Sequence, residues 1–156
     1  MANDSYQLHP AQLKTLQVLK LGIEVHKPEL ALHEDFELGE FSIENGRSEF
    51  DPESSTINVR MRIRAGRYAI DEDAPSAKDE EFREQPVSFV VEVGGIFNVD
   101  ISTFPQDKVH HWAETNAPLI LYPYVREQVY GLSSRVGIKQ IILPLLEVPT
   151  IKVVKK

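Results

Sequence analysis

Two histidines stand side by side in the stretch "QDKVHHWAE", His110 and His111, the only such pair in the chain. Imidazoles are common metal ligands and general bases, so this pair is the first candidate for chemistry. Neighbours on a helix point about 100° apart, so a single face cannot present both to one ion. The chain has no cysteine, and no carboxylate falls at a spacing that completes a zinc or iron set. No metal site and no cofactor are expected. The paired glycines Gly94 and Gly95 lack the helix start that a phosphate loop needs just downstream. No nucleophile elbow and no Ser/His/Asp signature is present. These residues predict no catalytic centre, and an enzyme is not expected.

The aromatic residues say more. Phe97, Phe104, Trp112, Tyr122, Tyr124 and Tyr130 crowd a window of 34 residues. Such a density serves either a core or a surface that takes up apolar material. Part of it lies in "NAPLILYPYVREQVYGLSSRVG", Asn116 to Gly137. There Tyr122, Val125, Val129, Leu132 and Val136 recur in steps of three and four, one face of a helix. Tyr124, Tyr130, Gly131 and Ser134 lie off that stripe, free for a groove or a partner subunit. Pro118 and Pro123 sit at or inside the start, where a missing N–H costs little. If the helix begins near Pro123, "LILY" is an extended lead-in packed on a sheet. Gly137 stands where a C-terminal glycine cap belongs.

The rest of the chain must supply that sheet. "TINVRMRIRAG" is the clearest strand: Ile57, Val59, Met61 and Ile63 face one way, Asn58, Arg60, Arg62 and Arg64 the other. "VSFVVEVGGIFNVDI" keeps one phase from Val87 to Ile101, and its mid-strand glycines mark a sharp bend or a close backbone approach. Residues 13–26 carry both a leucine period that suits a helix and an alternation that suits a strand; strand is preferred for 17–26. Phe36 to Ile43 reads as a strand whose phase slips at Gly39. "ENGR" and "DPESS" follow with turn chemistry. Residues 70–86 form a long acidic connection with seven carboxylates, expected to be a solvated, flexible loop. After Pro105 come a short helix and then the long one. The tail, about 144–156, is broken by Pro144 and Pro149 and ends basic. Strands first and helices afterwards predict a single α+β domain over 1–156, a four-stranded antiparallel sheet with helices packed on one face.

Bulk properties narrow the function further. The chain has 156 residues and a formal charge of −7, which argues against a nucleic-acid partner. The segment "MANDSYQLHP" has neither a basic n-region nor an apolar h-region, and no run approaches the ~18 apolar residues of a membrane span. A cytoplasmic protein is expected, and the lack of cysteine suits a reducing compartment.

"GGIF" at the strand bend, "NAPLILYPYVRE" opening the helix and "LSSRVG" closing it together resemble the SecB family of protein-export chaperones. The matching residues are Gly94, Gly95 and Phe97; Ala117, Pro118, Leu121, Tyr122, Pro123, Tyr124, Arg126 and Glu127; and Ser134, Arg135 and Gly137. The similarity is good over about residues 87–143. It implies a four-stranded antiparallel sheet with helices on one face and a homotetramer, a dimer of dimers, with the long helices in its interface. It implies binding of unfolded polypeptide clients in hydrophobic grooves between helix and sheet, without ATP, and delivery to the SecA motor. On that reading Phe36, Phe41, Phe97, Trp112 and Tyr124 are groove candidates, and Arg126, Tyr130, Gly131 and Ser134 belong to the oligomer interface.

The tail departs from the family pattern. In "IILPLLEVPTIKVVKK" the proline comes about one position early, no Asn-Phe follows, and the end is basic where the family carries an acidic SecA-docking tail. SecA is therefore a questionable partner. The outward Arg60, Arg62 and Arg64 are expected to pair with Glu24 and Glu92 on neighbouring strands. Two other readings stay open. One is a dedicated chaperone for a single client, such as the antitoxin of a toxin–antitoxin pair. The other is a binding module that kept the fold without the groove function.

Overall fold

The structure, a computed structural model, describes residues 6–147. The basic end of the tail and Pro149 lie outside the described residues. Alternation builds the sheet's centre: in β3 (Thr56–Ala65), Ile57, Val59, Met61 and Ile63 are at most 1% exposed, while Asn58 and Arg60 face solvent. β4 (Val87–Val99) pairs antiparallel with β3 on one side and with β1 (Ala11–Val25) on the other. β2 (Phe41–Arg47) pairs with β3, so the order is β1-β4-β3-β2 with every pair antiparallel. The expected α+β sheet of four strands is thus present. Only the step from β1 to β2 is not to a neighbour; the chain crosses to the far edge through the short helix α1 (Pro28–Ala31) and residues 32–40.

Several expectations are corrected. The helical alternative for residues 13–26, carried by Leu13, Leu16 and Leu19, gives way to strand, because β1 starts at Ala11 and runs for 15 residues. Its register shifts between Leu13 and Thr15 and between Val18 and Lys20, which explains the mixed leucine period. Phe36 to Glu40 are not strand, and "ENGR" is not a turn: Glu44 to Arg47 are the second half of β2, paired with Arg62 to Val59. The turn comes later, around "DPESS", where Asp51 bridges Thr56 and Ser55 adopts φ +55°. The acidic connection is not free throughout. It contains α2 (Asp79–Glu84), which packs on the turn Gly66–Ala69 and is anchored by the buried Phe82.

One face of the sheet is covered. α3 (Val109–Thr115) packs on β2 and β3, and α4 (Ala117–Arg135) packs on β4, β3 and β1. α4 begins at Ala117, with Pro118 at the first positions and Pro123 inside the helix. "LILY" is therefore helical, not an extended lead-in. Pro123 removes the bond that would run to the Leu119 carbonyl, on a face exposed to solvent. At the other end, the Gly137 amide bonds Ser134 O and the Ile138 amide bonds Ser133 O, with Gly137 at φ +76°. That pair of bonds is a Schellman cap.

The other face carries a cross-strand charge row. Register puts Lys20, Glu92, Arg62 and Glu44 side by side across the four strands. Arg62 and Arg64 both reach Glu44 at 2.5 Å, and Arg60 lies 3.9 Å from Glu92. The arginines thus pair as expected with Glu92, but with Glu44 in place of Glu24, since β2 rather than β1 borders β3. Burial acts to raise the Glu44 carboxyl, but the Arg62 hydrogen bond and the two guanidinium charges outweigh it and hold it below its ordinary value of 4.5. Because the folded value is the lower one, the stabilisation is complete above about pH 4.5 and is lost as pH falls through the folded value. Glu44→Gln should cost about 1 kcal/mol at pH 7, a figure discounted for partial exposure. At pH 3 the cost should be smaller. Equal costs at both pH values in urea unfolding would refute this role.

Candidate functional site

Two hollows lie on either side of one extended segment. After the cap of α4, residues 139–147 carry no helix or strand and run back along α4. The Ile141 amide donates to Ser133 Oγ at 3.0 Å, Arg126 Nε donates to the Leu143 carbonyl at 3.0 Å, and the Tyr122 hydroxyl donates to the Pro144 carbonyl. Anchor positions 133, 126 and 122 fall on one side of α4, so the segment is antiparallel to the helix. Ile141 and Leu143 are buried, while Ile142 is 71% and Leu145 79% exposed.

The first hollow, about 480 Å³, is lined by Phe36, Leu38, Phe41, Ile141, Ile142 and Pro144 together with Glu37, Lys139 and Gln140. Lys139 closes one end, its ammonium donating to the Glu34 and Phe36 carbonyls at 2.7 and 3.0 Å. The second, about 310 Å³, is lined by Pro123, Arg126, Glu127, Tyr130, Ile142 and Leu143. A third, about 500 Å³, sits at the far end of β2 between Asn45, Gly46, Arg47, Ala113 and Glu114, where Arg47 Nε meets Glu114 at 2.8 Å. The first two have aliphatic and aromatic walls that suit apolar side chains of varied sequence, with charged groups beside them: Glu37 and Lys139 in the first, Arg126 and Glu127 in the second.

Phe36 and Phe41 therefore line the same hollow. Phe97 is fully buried beneath α3, edge-on to Trp112 with ring centroids 5.1 Å apart. Trp112 is itself buried, stacked on His9 and edge-on to Phe104. Both aromatics belong to the core and touch neither hollow. Tyr124 is half-exposed on the outer face of α4, outside the hollows. Arg126 and Tyr130 line the second hollow; Ser134 is exposed with its hydroxyl on the Tyr130 carbonyl, and Gly131 has open space around it. Glu127 is exposed at the rim, and Pro118 is buried at the start of α4.

Gly94 and Gly95 mark close approaches. A Cβ on Gly94 would lie 2.9 Å from Leu19 on one sheet face. A Cβ on Gly95 would lie 2.9 Å from both Leu121 and Leu13 on the other. His110 and His111 diverge: His110 Nε2 accepts the Phe50 amide at 3.0 Å, and His111 is exposed. Among the described residues no group of three or more His, Cys, Asp or Glu is placed to hold a metal, and no helix is long and apolar enough to cross a membrane.

Sequence reasoning did not single out Ser133, fully buried with its hydroxyl bonding both the Tyr130 carbonyl and the tail. Its spacing, four residues after Val129, was the available signal. Also unforeseen is the β1 edge. Leu16, Val18 and Leu21 pair with Gly95, Val93 and Val91 on the covered face, yet are 38%, 46% and 41% exposed.

The family described as preprotein translocase subunit SecB matches residues 40–149. The uncharacterised protein MJ0357 of Methanocaldococcus jannaschii is 36% identical over 73 residues, 47% of this chain and 46% of that protein. The chain thus spans about half the length of that curated relative. Among solved structures, the Mycobacterium tuberculosis Rv1957 SecB-like chaperone, in complex with a ChAD peptide from the Rv1956 HigA1 antitoxin, aligns with a TM-score of 0.63 at 19% identity. That alignment covers 88% of this chain and 91% of the other, and it shows a shared fold. A protein of unknown function from Streptococcus agalactiae aligns over 86% of this chain and 97% of its own with a TM-score of only 0.41 and 13% identity, too loose a likeness to argue from.

Proposed function

The chain belongs to the SecB family, and on that premise we propose that it is a holdase chaperone that binds extended segments of non-native polypeptide without ATP. The observation that carries this reading is the open apolar hollow between Phe36, Leu38, Phe41 and the Ile141–Pro144 segment. It lies beside surface-exposed Leu32, Ile142 and Leu145. A segment of varied sequence needs such walls and few fixed polar demands. The protein acts in the cytoplasm as a homo-oligomer. Two surfaces support assembly: the outer face of α4, with Tyr124, Tyr130, Gly131 and Ser134, and the uncovered apolar β1 edge, which a solitary chain would leave open to pairing.

Delivery to SecA is the weaker part of the family role here. On the uncovered sheet face Lys20, Arg60, Arg62 and Arg64 oppose Glu24, Glu44 and Glu92, a nearly balanced surface rather than an acidic one. A dedicated client is the second reading, favoured by the structural neighbour whose bound peptide comes from an antitoxin.

The deciding experiment is suppression of aggregation of a reduced, unfolding client protein by the purified protein without nucleotide, with its mass taken by light scattering in the same buffer. Stoichiometric protection by an oligomer is expected. A monomer that protects no generic client would overturn the general holdase reading. Protection of one cognate partner alone would select the dedicated one.

A further inference from the structure

The segment from Ile138 to Leu146 is built like something bound to the domain rather than woven into it. Ile138, Ile141 and Leu143 are buried and Leu146 packs on the core, while Ile142 and Leu145 point out. Past Lys139, among the described residues, its backbone makes no bond to other backbone. It is held by three side chains of α4: the Ser133 hydroxyl takes the Ile141 amide, and Arg126 and Tyr122 donate to the Leu143 and Pro144 carbonyls. Bonds to main-chain groups are indifferent to the side chains of the strand they hold, and they tolerate its proline. Ile142 lies in the wall of both flanking hollows. Lifting the segment would join them into one trough between α4 and Phe36–Phe41.

We infer that residues 138–146 are an internal stand-in for the client. An extended client segment displaces this strap, places alternate apolar side chains where Ile141 and Leu143 now sit, and is gripped through its main chain by Tyr122, Arg126 and Ser133. The occupant is an extended polypeptide with apolar residues two and three positions apart, because that is the spacing of Ile138, Ile141, Leu143 and Leu146 in the segment seated there. The inference rests on the holdase reading and specifies its mechanism. Competition by the strap raises the concentration of client needed and returns the strap to its seat on release.

Because the chain has no cysteine of its own, Glu127→Cys and Ile142→Cys, both lining the smaller hollow, can be joined by a short bismaleimide with a central disulfide, which pins the strap to α4 until it is reduced. The probe is fluorescently labelled lactalbumin, reduced and carboxyamidomethylated so that it stays unfolded and cannot exchange thiols. The cross-linked double variant should bind this probe at least tenfold more weakly than the same protein after reduction. Equal binding before and after reduction, with the wild type binding the probe, would overturn the strap and leave the holdase reading intact. A wild type that binds no probe would overturn both. Hydrogen exchange on the unaltered protein gives a second reading: the Ile141 amide should exchange faster with probe bound, and unchanged or slower exchange would count against displacement.

Discussion

Gly66→Ala should be among the most damaging single substitutions in the described chain, costing about 3–5 kcal/mol of unfolding free energy. Gly66 follows β3 at φ +62°, a left-handed conformation that costs a residue with a Cβ about 1–2 kcal/mol. The surroundings add to this. A Cβ there would lie 2.3 Å from Ser88 Oγ and 2.6 Å from the Val87 carbonyl. Ser88 is fully buried, and its hydroxyl accepts the Arg67 amide at 2.8 Å and meets His26 Nε2 at 2.7 Å. Burial, then the charge of Arg67, push the His26 pKa below its ordinary value against the opposing effect of Glu24. The imidazole is thus neutral near pH 7 and can accept the Ser88 proton. Displacing that hydroxyl strands the Arg67 amide and a buried hydroxyl, at about 1–3 kcal/mol. Gly137 supplies the control: its φ is +76°, but a Cβ there meets nothing within 4 Å. Gly137→Ala should therefore cost only the conformational share, about 1 kcal/mol. Urea unfolding of both variants decides it, and similar losses at the two sites would refute the steric argument.

Which parts of this architecture could be read in the residues depends on whether their neighbours are close in sequence. β3 and β4 were legible because each keeps one apolar face over its whole length, and a single strand carries that pattern by itself. β2 was not. Its second half, Glu44 to Arg47, has turn-forming residues, and Gly46 stands where a Cβ would touch nothing; only pairing with β3 makes it a strand. The missing strand hid Glu44, and with it the true partner of Arg62 and Arg64. The start of α4 was masked by Pro123, whose cost as an interior proline is met by packing of the buried Leu121, Tyr122 and Val125 around it. For the aromatic residues, type alone could not sort groove from core. Phe36 and Phe97 are alike as residues, and only tertiary packing leaves a hollow between residues 36–41 and 139–144 beside one and sets Trp112 of α3 over the other. The tail was legible as irregular from its prolines. That two of its residues are buried under α4 depends on contacts with Ser133, Arg126 and Tyr122, which no local pattern announces.

The paired glycines join those two levels, and their energetic role can be isolated. Leu121 is fully buried, and its Cδ2 would stand 2.9 Å from a Cβ on Gly95. α4 therefore docks on β4 through a notch that a missing side chain provides. Leu121→Ala should cost about 3–4 kcal/mol, the usual range for a buried leucine whose cavity cannot collapse. Gly95→Ala alone should cost about 1–2 kcal/mol, because Leu121 and Leu13 must move in a packed layer. In the Leu121→Ala background the sign should reverse. The Leu121 methyl groups are gone, Leu13, whose Cδ1 would also lie 2.9 Å from the new Cβ, gains room to shift into the space they leave, and the new methyl fills part of the cavity. Alanine is also favoured over glycine in a strand by about 0.5–1 kcal/mol. Gly95→Ala should then be neutral or stabilising, a coupling of at least about 1 kcal/mol between the two positions. The cycle is measured by urea unfolding of the four proteins. Additive losses would mean that Gly95 serves its contact with Leu13 or the β4 backbone itself, and not the approach of α4. A reversal would mean that the glycine serves the close approach of α4, the helix that also carries the anchors of the strap.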